Sequence, residues 1–94
     1  MTVALQIGDF VRCGFFVGRV EDIATSDRRT MLLVSSPKGV WRSHGPEWIE
    51  YDPEAVSEVS AEEYNAEVER YRERVLETLQ KLEAMRVEAA AAAD

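Results

Sequence analysis

The apolar positions change their period once along the chain. From Ile7 to Val59 they come in short runs broken by turn residues, and from Ser60 onward they recur about every 3.6 residues. In the first stretch Gly8-Asp9 reads as a turn, because Gly tolerates positive φ and Asp can bond its own backbone two residues on. Phe10–Cys13 is expected to be extended. Gly14 breaks it, and Phe15–Ile23 resumes with β-branched and aromatic residues and with Gly18 where a strand must kink sharply. Thr25-Ser26-Asp27 is the next turn. Met31–Val34 is long enough for a buried strand and too short for a helix. Pro37-Lys38-Gly39 closes it, and Val40–Ser43 is read as a fourth strand, with Val40 and Arg42 on one face and Trp41 and Ser43 on the other. His44-Gly45-Pro46 turns again, and Trp48–Tyr51 supplies a last strand of high β-propensity. Asp52–Val56 reads as a single helical turn with Asp52 as its cap and Pro53 at its first position. Ahead of all this, Thr2–Gln6 is a short apolar lead-in suited to an edge strand or an ordered arm.

The second stretch is a helix. Ser60-Ala61-Glu62-Glu63 is a capping box: the Ser60 hydroxyl can accept from the Glu63 N–H, and the Glu63 carboxylate can reach back to Ser60. Tyr64, Val68, Tyr71, Val75, Leu79, Leu82 and Met85 then fall on one stripe that Leu76 widens. Glu77 and Lys81 have the spacing of an i,i+4 pair. The alanines from Ala89 to Ala93 have helix propensity and no charge to anchor them, so fraying is expected after about residue 88. A helix from Ala61 to Glu88 would be about 42 Å long. A compact body of some 50 residues has a diameter of about 25 Å. The helix should therefore overhang, and Tyr71, Val75, Leu79, Leu82 and Met85 should meet another surface, most simply the same helix of a second subunit.

Five short strands at this spacing suggest a small barrel. Ile7-Gly8-Asp9 with Val11-Arg12, then Gly18, Val20 and Ile23, then Trp48-Ile49 followed by Pro53-Glu54-Ala55-Val56 and Val59, resembles the SH3-like barrel superfold of Tudor, KOW and CarD-type domains over roughly Gln6 to Val59. The resemblance implies a five-stranded SH3-like barrel over 1–59; with the long C-terminal helix that the period predicts over 60–94, the chain is expected to be α+β, mainly β. The resemblance lies in turn and core geometry that unrelated barrels share. The KOW pattern carries more basic residues than this half supplies, which disfavours RNA binding. Similarity to Tudor implies an aromatic cage, but no cage residues can be matched here.

Charge sharpens this division. Residues 1–50 carry six Lys and Arg against six Asp and Glu, whereas residues 51–94 carry five against twelve, so the net charge of −7 belongs wholly to the second part. Such a chain repels phosphate backbones and anionic membranes at long range. The length suits one domain. A single Cys13, no basic-then-apolar leader and no apolar run of about 18 residues lead us to expect a cytoplasmic protein without a membrane partner. Nine Arg against two Lys, with abundant Ala, suggest a GC-rich genome such as that of an actinobacterium or one of its phages.

The residues offer little for catalysis. Cys13 and His44, with Asp52 to orient the ring, are the one conceivable nucleophilic set, and nothing local joins them; a buried thiol that fills space is the simpler reading. One Cys and one His do not make a zinc site, and no Gly-rich loop precedes a helix. No catalytic residue, metal ligand or cofactor is therefore expected. The segment Lys38–Trp48 is the most suggestive for binding, because Lys38, Trp41, Arg42, His44 and Trp48 combine cations, indoles and the one imidazole in a turn-rich stretch. The bland alternative makes Trp48 a core residue and Trp41 the cover of a barrel end. Arg12, Arg19, Arg28 and Arg29 could extend such a surface or simply be solvated. The acidic helix could mimic nucleic acid, although Arg70, Arg72, Arg74 and Arg86 interrupt its acids and favour a solvated face.

These readings converge on a non-catalytic binding or adaptor module that self-associates through its helix. Its ligand would be a protein or a small nucleotide. Alternatives are a phage-encoded inhibitor that binds a host factor or sequesters a nucleotide, acting in the host cytoplasm, and a structural part of a virion.

Overall fold

The computed structural model describes residues 5–87. It contains β1 (Phe10–Cys13), β2 (Phe16–Ser26), β3 (Arg29–Ser35), α1 (Pro37–Trp41), β4 (Glu47–Glu50), β5 (Val56–Val59) and α2 (Ala61–Met85). The five strands form one antiparallel sheet in the order β4-β3-β2-β1-β5. The chain is thus α+β, as expected. The sheet, however, is not closed into a barrel: β4 and β5 are its two edges and do not pair with each other.

Curvature comes from β2, which is 11 residues long and serves two partners. Its first half pairs with β1 from Phe16 to Arg19, and from Arg19 to Ser26 it pairs with β3. Between these, Val20 opposes Val34 and Asp22 opposes Leu33, which leaves Glu21 as an extra residue in a bulge. The Glu21 carboxylate accepts from Ser35 Oγ at 2.6 Å, so the bulged side chain is tied to the neighbouring strand. Gly18 lies just before this bend. A Cβ there would collide with Val34 Cγ1 and sit 2.5 Å from the Ser35 carbonyl oxygen, so the close approach of β3 requires glycine.

Bending brings the inner faces of the two halves together. Val11, Cys13 and Val56 from the β1–β5 side share one core with Leu5, Val20, Leu32 and Val34, and Phe16, Ile23, Ile49 and Tyr51 pack on its periphery. Val11, Val20 and Leu32 are wholly buried. Burial of residues this size stabilises the fold by roughly 1.5–3 kcal/mol each.

The connections follow local chemistry. Ile7-Gly8 turns with Gly8 at φ 99°, and the chain is pinned there by Gly8 N–H donating to the Val20 carbonyl and Val20 N–H donating to the Asp9 carbonyl, both at 2.8 Å. Cys13 pairs with Phe16, so Gly14-Phe15 is a two-residue hairpin loop with positive φ only at its first position. This is the II′ geometry that suits Gly-X. Ser26 pairs with Arg29, so the second hairpin turns on Asp27-Arg28, one residue later than the sequence suggested. Asp52 does cap a turn: its Oδ1 accepts from Glu54 N–H, and its carbonyl accepts from Ala55 and Val56 N–H. That turn stops at once, and Val56 begins β5 instead of ending a helix.

α2 starts at the predicted cap, with Ser60 Oγ accepting from Glu63 N–H at 3.1 Å. The other half of the box is replaced by a tertiary contact, since the Glu63 carboxylate pairs with Arg12 of β1 at 3.2 Å. Phe10 and Tyr64 stack nearby at 4.5 Å between ring centroids. The first turns of α2 are thus fastened to the sheet face opposite the core. The helix runs 25 residues, about 37 Å, and ends at Met85, short of the expected residue 88. The expected Glu77–Lys81 pair is not among the ion pairs of the described residues; those within α2 join Glu67 to Arg70 and Glu69 to Arg72, and Glu83 near its end pairs with Arg86. The molecule spans 71 × 27 × 18 Å because the second half of α2 projects beyond the sheet. The alanine run and the segment before Leu5 lie outside the described residues.

Candidate ligand-binding face and association surface

The stretch expected as a fourth strand is instead the short helix α1. Ser36 is extended and caps it, accepting from Gly39 N–H at 2.9 Å, and Pro37 occupies the first turn, where no N–H is needed. The helix then closes in a Schellman turn: Ser43 N–H donates to the Val40 carbonyl and His44 N–H to the Gly39 carbonyl, at 3.0 and 2.7 Å. Ser43 takes the left-handed position at φ 61°, where glycine is usual. A Cβ at Gly39 would stand 3.1 Å from Ser36 Oγ and 3.3 Å from the His44 carbonyl oxygen, so this glycine permits the compact cap and turn. Ser-Pro before a short segment was the readable helix signal, and Gly39 concealed it.

Helical rather than strand geometry redistributes the predicted site. Lys38 and Arg42 are four residues apart and share one side of α1, whereas Pro37, Val40 and Trp41 share the other. Lys38, Arg42 and His44 line a cavity of about 230 Å³ with Phe16 and Val34 of the sheet, Ser36 and Glu47. Trp41 leaves this group and lines a separate, mainly apolar groove of about 370 Å³ between α1 and α2, with Pro37, Val40, Tyr64, Val68, Tyr71 and Val75. Trp48 joins neither. It pairs in register with Leu33, on the sheet face opposite Leu32, and is half exposed, so it is not a core residue either.

The electrostatics of the two surfaces differ. Among the described residues Arg12, Arg29, Arg70, Arg72 and Arg86 are engaged by carboxylates, whereas Lys38 and Arg42 make no ion pair. Arg42 instead lies 5.9 Å from the Trp41 ring centroid. On the groove side Arg74 covers both aromatic rings, 4.9 Å from Tyr71 and 5.4 Å from Trp41. This cation–π arrangement ties α1 to α2.

The predicted association stripe is also divided. Tyr71 is buried against Trp41 of its own chain, with ring centroids 5.7 Å apart. It therefore belongs to the fold. Val75 lies at the end of the groove, and Leu79, Leu82 and Met85 are 50, 58 and 75 % exposed. Exposed apolar residues that the sequence did not single out include Ile7, Val87, Val40 at the lip of the groove, and Phe15, 93 % exposed at the tip of the first hairpin. Gly14-Phe15 forms the II′ turn, whereas the sequence pattern predicts the second strand from Phe15.

Cys13 lies within the core, and burial raises its thiol from 9.0 to about 11. It is held as a thiol at neutral pH. Among the described residues no group of three or more His, Cys, Asp or Glu could hold a metal ion. No helix of these residues is long and apolar enough to cross a membrane. No protein-family model, curated protein or solved structure matches the chain.

Proposed function

We propose that this chain is a non-catalytic binding module of SH3-like architecture that self-associates through α2 and offers the α1 face to a ligand. The strand order β4-β3-β2-β1-β5 and a long, bulged β2 shared by both halves of the sheet support the SH3-like reading. The observation that carries self-association is the stripe Val75, Leu76, Leu79, Leu82 and Met85, all exposed on a helix that has left its own sheet. Apolar side chains in such a row mark an interaction surface.

A second copy is the occupant that fits. The stripe is continuous with Val40 and the Trp41 groove, so one apolar surface runs from α1 along α2. A two-fold axis crossing α2 near Thr78 would set Leu82 and Met85 of each copy into the Trp41 groove of the other, so one surface covers the other reciprocally.

Light scattering from micromolar to millimolar concentration tests this. The expected result is a dimer or higher assembly that Leu79→Glu or Leu82→Glu converts to monomer, with helical circular dichroism retained. A wild-type chain that is monomeric throughout refutes it.

A further inference from the structure

We infer that the cavity beside α1 is a recognition site for the phosphoryl group of a small phosphorylated ligand, gripped by Lys38 and Arg42 with His44 at its rim. The inference rests on the reading of the α1 face as the ligand-binding face and is independent of helix association.

Lys38 and Arg42 converge on one cavity from successive turns of α1, and neither is neutralised by an ion pair among the described residues, in a chain whose net charge is −7. Phe16 and Val34 form an apolar side of the cavity. Low polarity behind a charge strengthens its attraction for an anion, since less water screens it. At about 230 Å³ the space is below the 300–1,000 Å³ typical of whole-ligand pockets. It accommodates one tetrahedral group and its neighbouring atoms.

Two separate cations favour a dianionic phosphoryl group over a single carboxylate, which would satisfy only one of them. The guanidinium can bond it in a forked geometry while the ammonium acts as a point charge. The acid on the wall, Glu47, limits the site to a group that brings enough negative charge and leaves an acceptor for a hydroxyl or amine elsewhere on the ligand. A nucleic-acid backbone would need a track of cations, whereas among the described residues Lys38 and Arg42 are the only Lys or Arg lining this cavity.

The test is a titration of the full ¹⁵N-labelled chain with inorganic pyrophosphate at low salt, followed by amide shifts. Saturable shifts confined to Ser36–Glu47 are expected. Lys38→Ala and Arg42→Gln should each weaken binding about tenfold, Glu47→Gln should tighten it, and Arg28→Gln on the remote hairpin should leave it unchanged. Equal weakening by Arg28→Gln would show diffuse charge attraction and overturn the site. Saturation of the same residues by malonate but not pyrophosphate would overturn the phosphoryl assignment while keeping the ligand face. No shift at Ser36–Glu47 with either anion overturns the phosphoryl site, and light scattering of the same sample reports separately on association.

Discussion

Trp41 and Tyr71 face each other with ring centroids 5.7 Å apart at 47°, and this contact joins the one short helix inserted in the sheet to the one long helix that leaves it. The Arg74 guanidinium lies over both rings. Removing Trp41 therefore loosens both helices at once. Trp41→Ala should lower unfolding free energy by about 2 kcal/mol, less than for a fully buried Trp because the indole is 38 % exposed. A double-mutant cycle with Tyr71→Ala should return a coupling of about 0.5–1.5 kcal/mol in urea melts. Additive losses would mean the rings merely adjoin.

At Gly18 the Val34 side chain and the Ser35 carbonyl of β3 leave no room for a Cβ. Gly18→Ala should destabilise by about 2–3 kcal/mol, because the new methyl meets both the Val34 side chain and the Ser35 carbonyl oxygen. Adding Val34→Ala should recover only part of the loss, since the backbone oxygen stays. Thermal or urea unfolding of the three variants measures this.

Three non-glycine residues occupy the left-handed region, Asp27 at φ 47° and Arg28 at φ 66° in the second hairpin and Ser43 at φ 61° in the well-separated turn after α1. Arg28→Gly and Ser43→Gly should each stabilise the fold by about 1 kcal/mol, and their effects should add. If the α1 cavity binds a phosphoryl group, Ser43→Gly should also weaken pyrophosphate binding by relaxing His44, whereas Arg28→Gly should not.

The Cys13 thiol is raised by burial from 9.0 to about 11. The folded chain holds this proton more tightly than the unfolded chain does. Its contribution to stability is thus complete below pH 9 and is lost as pH rises toward 11, on the order of 1 kcal/mol. The difference between wild type and Cys13→Ala in urea midpoints across that window isolates it from other titrations. In the native protein the thiol should resist aromatic disulfide reagents at mildly alkaline pH and react on unfolding.

Much of this architecture was readable without coordinates. The Gly8 turn, the bend at Gly18, the Ser60 cap and the change of period after Val59 are local signals, each set by one residue's conformational freedom or by side-chain spacing. The candidate site was less legible. Lys38, Trp41, Arg42 and His44 stand out in the sequence by residue type, yet strand alternation places Arg42 with Val40 and Trp41 with Ser43. Helical spacing reverses this, joining Arg42 to Lys38 and Trp41 to Pro37. Trp48 was grouped with them by sequence proximity alone, and β4 carries it to another face.

The sequence by itself determined the elements, an acidic helix with an apolar stripe, and a thiol destined for the core, because period, capping chemistry and hydrophobicity act over a few residues. Only the tertiary structure decided that the sheet stays open between β4 and β5, that Glu63 turns from its own cap to Arg12, and that Tyr71 is consumed by Trp41 while Leu79, Leu82 and Met85 remain exposed. Those outcomes depend on the bend of β2 and the direction in which α2 leaves the sheet. They are long-range relations that arise when distant segments compete for the same partners.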